Sequence, residues 1–353
     1  MKKELQGKKN TRGTTANPAN RFEKLHYEYD ERIREELPAR RTTFLRDATS
    51  SIITYNDSPD VGFDASLNVY RGCEHGCAYC YARPTHEYLG FSAGLDFESK
   101  ILVKENAPEL LRQELSDPNY NPQVLAMSGV TDPYQPIERQ LQLTRKCLQV
   151  LTEFRNPVAI VTKNYLVTRD IDLLERLASF EAATVYISIT TLDNQLRGEL
   201  EPRTSPVSKR LDILRTLTDA HIPCGVLIAP VIPGLTDHEI PSILTAAADT
   251  GAQYAGYIML RLPFGVKDLF EQWLEDHFPD RKAKVLHRIQ AVRDGRLNDP
   301  RFGSRMRGEG IYADQVDELF TLGCDRANLG TKSPPGNISE FRRPNEQLSM
   351  FHR

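Results

Sequence analysis

From residue 66 onward the chain alternates short apolar runs with longer stretches whose apolar residues recur at three- and four-residue steps. These are the periods of buried strands and of amphipathic helices. Strands are predicted at 66–72, 123–129, 157–163, 184–190, 223–230 and 255–263, and helices between them at 107–115, 138–154, 171–180, 208–220 and 237–250. Thr236-Asp237-His238-Glu239 reads as a capping box opening the last of these helices. Runs such as VAIVTK (158–163) and CGVLIAP (224–230) are almost continuously apolar, which suits parallel strands covered on both faces. Strand and helix alternate in an α/β order, and six units rather than eight predict a partial (β/α)6 TIM-like barrel, open on one side.

The flanks carry a different pattern. Residues 1–45 are polar, charged and rich in Thr, Asn and Arg without a sustained hydrophobic period, and are expected to form a mobile N-terminal segment with little part in catalysis. Beyond about residue 265 the strand signal fades. Helical periodicity returns near 280–293 and 312–322 before a Pro- and Gly-bearing tail, so 266–353 is read as a helical C-terminal extension of a core spanning 62–265.

Composition narrows the possible functions. The 353 residues carry 45 Lys and Arg against 48 Asp and Glu, a net charge of −3, which lacks the basic excess of a protein that binds nucleic acid chiefly through phosphates. No run approaches the ~18 apolar residues of a membrane span and the N-terminus has no apolar leader, so a cytoplasmic protein without membrane partners is expected. Six cysteines are too few for a disulfide scaffold, and three of them fall within eight residues.

Those three, Cys73, Cys77 and Cys80, have C-x3-C-x2-C spacing directly after the first predicted strand. Chemistry in α/β barrels collects in loops at this end of the strands. Three soft thiolates in a short loop suit one face of an iron-sulfur cube and leave one iron open to a small molecule. A zinc site completed by His75 is an alternative, although structural zinc normally takes four protein ligands. Compartment and crowding disfavour a disulfide here. An electron-transfer ferredoxin would need a fourth cysteine, and Cys147, Cys224 and Cys324 lie far off in the chain, the first two at positions that suit small core residues.

With Tyr79 before the last cysteine, the C-x3-C-x-aromatic-C loop resembles that of the radical S-adenosylmethionine (SAM) superfamily, over about residues 62–265. Within it, Cys77-Ala-Tyr-Cys80-Tyr81, Ser128-Gly129-Val130-Thr131-Asp132, Val161-Thr162-Lys163, Ile187-Ser188-Ile189-Thr190 and Ile228-Ala229-Pro230 resemble the spore photoproduct lyase-like (DNA repair photolyase-related) branch. The resemblance implies a 4Fe-4S cluster on Cys73, Cys77 and Cys80, SAM chelated to the open iron, reductive cleavage of SAM, and hydrogen abstraction from a substrate it does not assign. It also implies that Tyr79 and Tyr81 flank the adenosine, Thr131 and Lys163 hold polar groups of SAM, Ser188 the ribose region and the Ala229 backbone the adenine. On bland readings Lys163 is a solvated lysine, Thr131 and Asp132 are turn residues before Pro133, and Ser188 satisfies nearby backbone.

An external low-potential electron donor is the expected partner. The segments Arg83–His86–Glu87, Asp132–Gln135–Glu138 and Glu201–Arg203 lie beside the expected site, toward substrate. One departure stands out: spore photoproduct lyase has a hydrogen-donor cysteine where this chain has Gly129, and glycine has no thiol to return a hydrogen atom. Nucleic acid as partner rests on weak basic features, namely the N-terminal tail, Arg40-Arg41 and the arginines of 301–307. A non-catalytic iron-sulfur or redox protein is the alternative function.

Overall fold

The computed structural model describes residues 12–23 and 41–344. Its main sheet has seven strands in the order β10-β9-β8-β7-β6-β3-β2: β2 Ile53–Tyr55, β3 Ala65–Leu67, β6 Leu125–Met127, β7 Val158–Thr162, β8 Ala183–Ser188, β9 Cys224–Val231 and β10 Tyr254–Met259. The last six run parallel, each beside its predecessor, and β2 adds an antiparallel edge beside β3. With β10 at the other edge the sheet is not closed, so the architecture is a partial (β/α)6 barrel.

The helices that cover it are α1 Ala107–Ser116, α2 Leu143–Phe154, α3 Ile171–Ala178, α4 Val207–Asp219 and α5 Ile240–Asp249, followed by α6 Val266–His277, α7 Pro279–Ala291 and α8 Ile311–Ala327. The amphipathic spacing explains α2. Thr144, Cys147, Leu148, Leu151 and Thr152 fall on one stripe and are buried, and the helix ends where Arg155 turns left-handed at φ 53°. Each fully buried leucine of this kind contributes roughly 1.5–3 kcal/mol.

Four expectations are corrected in detail. The predicted first strand, 66–72, is split: Ala65–Leu67 joins the main sheet, whereas β4 Tyr70–Arg71 pairs antiparallel with β5 Lys100–Val103, which also pairs with β1 Thr43–Arg46. The helix predicted over 138–154 breaks at Gln142 (φ 54°), because the buried Glu138 carboxylate takes the amides of Thr144 (3.1 Å) and Arg145 (3.4 Å) and so caps a new helix. The helix does start at Thr236, with a 3-10 turn over Asp237–Glu239 leading into α5, but the reciprocal bonds of a capping box do not form. Thr236 Oγ1 instead accepts from Ile232 N (3.0 Å), and Glu239 accepts from Thr191 Oγ1 and Leu192 N (2.6 Å each). Finally, α6 fills the start of the helical extension, where no individual helix was predicted.

The flanks are folded onto the core. Residues 12–23, within the segment expected to be mobile, lie against the loop that bears the cysteines. At the opposite end of the chain α8 packs on α5, Gly330 bridges to Tyr254, and Phe341 stacks against Tyr120 and Phe154. Among the described residues no helix is long and apolar enough to cross a membrane.

Candidate active site

The main sheet and the small β1-β5-β4 sheet meet at the cysteine loop. Gly72 (φ 81°) turns the chain out of β4, Cys73 N donates to Phe97 O (3.0 Å), and Ala78 N donates to Leu200 O (2.9 Å). A Cβ on Gly76 (φ 67°) would stand 2.5 Å from Glu98 Oε2, so both the backbone angle and the space there require glycine. Arg83 grips the loop from beneath. Its Nε and Nη2 donate to Cys77 O at 3.0 and 2.8 Å, its Nη1 to Ala93 O and Gly94 O, and its Nη2 pairs with Glu98 Oε1 at 2.6 Å, with both side chains fully buried. His86, expected to face substrate, is also fully buried and bonded to Lys100 O (2.8 Å), and Glu87 pairs with Arg21 (2.6 Å). This segment supports the loop and does not face substrate.

The three thiols are free, and Cys73 and Cys77 are 7% and 8% exposed. Burial pushes the Cys77 thiol well up and carries Cys80 up to about 11, the neighbouring thiols adding to both shifts. A cation that ligates them is what would hold these groups as thiolates at neutral pH. The other three cysteines lie in the hydrophobic core, in α2, β9 and α8, so no fourth cysteine joins the loop.

The zinc alternative fails on His75. Its Nδ1 faces Asp132 Oδ2 at 3.4 Å and its Nε2 lies 3.0 Å from Asn164 Nδ2. Burial opposes a charge on this ring, but Asp132 and Cys73 outweigh it and carry its pKa up to about 10. Asn164 Oδ1 is taken by Leu166 N, so the Asn164 side chain fills the space against Nε2 as Asp132 does against Nδ1. Neither nitrogen is open to a metal. Moreover, among the described residues no three Cys, His, Asp or Glu side chains converge on a point that one metal ion could occupy. Three thiolates that each hold a different iron need no such convergence, so the donor set fits a cluster better than zinc.

Beside the loop, at the C-terminal ends of β7, β8 and β9, lies a buried polar network. Lys163 Nζ donates to Ser188 Oγ (2.7 Å), Thr190 Oγ1 (3.3 Å) and Ala229 O (3.0 Å), and pairs with Glu201 Oε1 at 3.0 Å. Glu201, with no exposed surface, also accepts from the Tyr79 hydroxyl, Thr190 Oγ1 (2.8 Å) and Arg210. Burial alone would raise the Glu201 pKa, but Arg210 and Lys163, with the Tyr79 hydrogen bond, hold it far below the usual carboxylate range.

Four of the six residues expected to contact SAM, namely Tyr79, Lys163, Ser188 and Ala229, therefore meet in one place. The other two lie along the end of β6. Thr131 Oγ1 donates to Gly72 O (2.8 Å) and accepts from Gln135 Nε2 (3.0 Å), which ties that strand end to the root of the cysteine loop. Tyr81, 46% exposed, donates to Gly129 O (2.6 Å) beneath the Arg261 guanidinium, 5.2 Å from its ring centre. A Cβ on Gly129 would point into open space.

Sequence reasoning missed the hub. It placed Glu201, Arg203, Thr190 and Arg83 beside the site but gave the role to Arg203, which lies 3.7 Å from Glu74, and named neither Arg210 nor Glu98, the buried partners of Glu201 and Arg83. Thr190 and Glu201 come from the segment between β8 and α4 and Arg210 from α4, and no local spacing signals that they converge. Asp132 and Glu138 are structural as well: Asp132 accepts from Thr162 Oγ1 (2.7 Å) and Lys163 N (2.9 Å), and Glu138 pairs with Arg169 (2.7 Å).

A family model described as the radical SAM superfamily matches residues 67–247. An uncharacterized protein of Mycobacterium tuberculosis is 34% identical over 220 residues, 62% of this chain and 65% of that protein, so the chain spans a little under two thirds of that relative's length. An uncharacterized protein of Methanocaldococcus jannaschii is 32% identical over 214 residues, 61% of this chain and 76% of that one. Among solved structures, a variant of spore photoproduct lyase with bound AdoMet and dinucleoside spore photoproduct is similar in fold, with TM-score 0.57 and 17% identity over 82% of this chain and 80% of that one.

Proposed function

Because the chain belongs to the radical SAM superfamily, we propose that it is an enzyme that cleaves SAM reductively on a 4Fe-4S cluster held by Cys73, Cys77 and Cys80. The observation that carries this reading is the meeting, on one rim, of three thiols, two of them buried, and the Tyr79–Glu201–Lys163–Ser188–Ala229 network. When bound, the cluster and SAM supply an electron and a 5'-deoxyadenosyl radical that abstracts hydrogen from substrate.

The chain's own residues place and protect that chemistry. Lys163 cross-links the ends of β7, β8 and β9, which fixes the Ser188 hydroxyl and the Ala229 carbonyl as a polar edge for an adenosine. Tyr79 is locked by Glu201 beside it. Leu200, Ile232, Leu262 and Phe270 pack behind Cys77 and Tyr79 and keep water from that side. In this reading a low-potential electron donor acts from outside the chain and the compartment is the reducing cytoplasm. Anaerobic reconstitution with iron and sulfide, followed by dithionite and SAM, is expected to give a brown protein that forms 5'-deoxyadenosine. A brown protein that ignores SAM would instead support the non-catalytic iron-sulfur reading.

Lys163→Met is expected to keep the iron and to weaken SAM binding roughly 10- to 100-fold, the worth of hydrogen bonds from a charged group. Calorimetric titration of the cluster-loaded protein with SAM checks it, and unchanged affinity would remove Lys163 from the site.

For the substrate we propose nucleic acid, on the support of the exposed Tyr81 ring with Arg261 packed over it at the mouth, a pair suited to a planar base. The arginines of 301–307 add little. Arg301 is paired with Asp299 and Glu309 and Arg305 with Asp60, while Arg40 lies outside the described residues. Binding of a short single-stranded oligonucleotide should weaken as salt rises, and absence of binding at low salt rejects this substrate class.

A further inference from the structure

Residues 12–21 cross the cysteine loop and are bonded to the segment that supports it. Arg12 Nη1 donates to Glu98 O (2.5 Å), and Gly13 N donates to Glu98 Oε2 (3.0 Å). The other oxygen of that carboxylate holds Arg83, and Arg83 holds Cys77 O, so a continuous chain of buried polar contacts joins Gly13 to a cysteine that ligates the cluster. On the far side Arg12 Nη2 donates to Thr42 Oγ1 (3.3 Å), which in turn donates to Glu74 Oε1 (2.9 Å), a side chain inside the loop.

Further along, Leu95 N donates to Ala16 O (3.0 Å), and Asn17 and Asp96 exchange two hydrogen bonds of 3.0 Å each. Ser92 Oγ donates to Pro18 O (2.7 Å), and Asn20 Nδ2 donates to Glu87 O (2.8 Å) and Phe91 O (2.9 Å). The packing has no slack. A Cβ on Gly13 would stand 1.5 Å from Gly76 O, between Cys73 and Cys77, and a Cβ on Gly94 would stand 2.0 Å from Ala16 O.

A purely structural arm would be expected to strengthen the hydrophobic core, but these bonds land on residues 87–98, which support the loop, and reach Glu74 in the loop through Thr42. We propose that residues 12–21 are a strap that holds the cysteine loop in its ligating shape and closes it to solvent, with Gly13 and Asn17 as positioning residues for the cluster. The inference rests on the cluster reading and not on SAM cleavage.

The test uses the full chain, wild type, Gly13→Val and Asn17→Ala, each reconstituted anaerobically with iron and sulfide. Iron and sulfide per chain, the electron paramagnetic resonance spectrum of the reduced cluster and the fading of its colour in air are recorded beside thermal melts. Gly13→Val should lose its cluster in air at least about tenfold faster than wild type, with an altered spectrum, the scale seen when groups that support metal ligands are removed. Asn17→Ala should shift the same way by less. Leu217→Ala, a cavity in the core of α4, should melt earlier and still keep the wild-type spectrum and lifetime. Wild-type iron content, spectrum and lifetime in both strap variants would overturn the proposal, as would a Leu217→Ala protein that loses its cluster as readily as Gly13→Val. A wild type that takes up iron but ignores SAM overturns the proposed reaction alone, since none of these readouts uses SAM.

Discussion

Cys77→Ala is expected to reduce 5'-deoxyadenosine formation to the enzyme-free background and to leave the protein without the iron and sulfide of an intact cluster. Cys77 is the middle thiol of the triplet and is almost fully buried. The substitution leaves the two Arg83 bonds to its carbonyl in place, so what is lost is the thiolate and not the loop. A cluster held by three protein ligands has no spare: two thiolates leave two irons without protein, and such a cube is readily lost. Cys147→Ala is the matched control, because that thiol is buried in the core and is expected to change neither iron content nor turnover. Iron and sulfide analysis with a SAM cleavage assay decides the matter. Full iron in the Cys77 variant, or zinc in the wild type, would end the radical SAM reading of this site.

Glu201→Ala is expected to destabilise the fold by about 3–5 kcal/mol, the cost of leaving a buried cation without its partner. Arg210 has no exposed surface, and apart from Glu201 its guanidinium keeps only neutral partners among the described residues: Ser205 O (3.0 Å), Ser188 O (2.9 Å) and the Thr204 hydroxyl. The loss is a large share of a typical stability of about 5–15 kcal/mol. Glu201→Gln, which keeps an acceptor but not the charge, should fall between, and Arg210→Met introduced with Glu201→Leu should recover part of the loss, since Arg210 is then no stranded charge and only the partly exposed Lys163 is left without its carboxylate. Urea unfolding of the single and double variants measures each step.

The pH dependence has a definite sign. The folded carboxyl titrates far below its ordinary value of about 4.5. Its contribution is therefore fully present above that value and is lost as pH falls below it. Wild type should lose stability from pH 5 downward more steeply than Glu201→Gln, and identical acid limbs would show that the charge on Glu201 contributes nothing.

The two polar clusters differ in how far the sequence reveals them. The cysteine triplet is local: three ligands within eight residues can be recognised by spacing alone, and each of the six parallel strands overlaps a run of apolar residues found at the same place in the sequence. Lys163, Ser188 and Ala229 were legible because each sits at a strand end, where parallel topology puts side chains on one rim. Glu201 and Arg210 were not. Their partnership depends on a loop folding back under the sheet, and a glutamate or an arginine in an amphipathic stretch looks the same whether it is solvated or buried in an ion pair. The break at Gln142 is of the same kind, since it arises from a carboxylate at 138 capping a helix six residues later.

The N-terminal segment marks the limit most clearly. Its polar composition reads as a tail because hydrophobic period is the signal by which sequence reveals packing, yet residues 12–21 are held by hydrogen bonds and close backbone contact, for which Arg12, Gly13, Asn17 and Asn20 are well suited and which leave no period. By itself the sequence determined the α/β alternation, the three thiols and the end of the sheet at which they lie, because these follow from local spacing and from the direction of the strands. Only the tertiary structure decided which charges are buried together, which glycines press on the loop and which residues close over it, because those depend on distances between segments far apart in the chain.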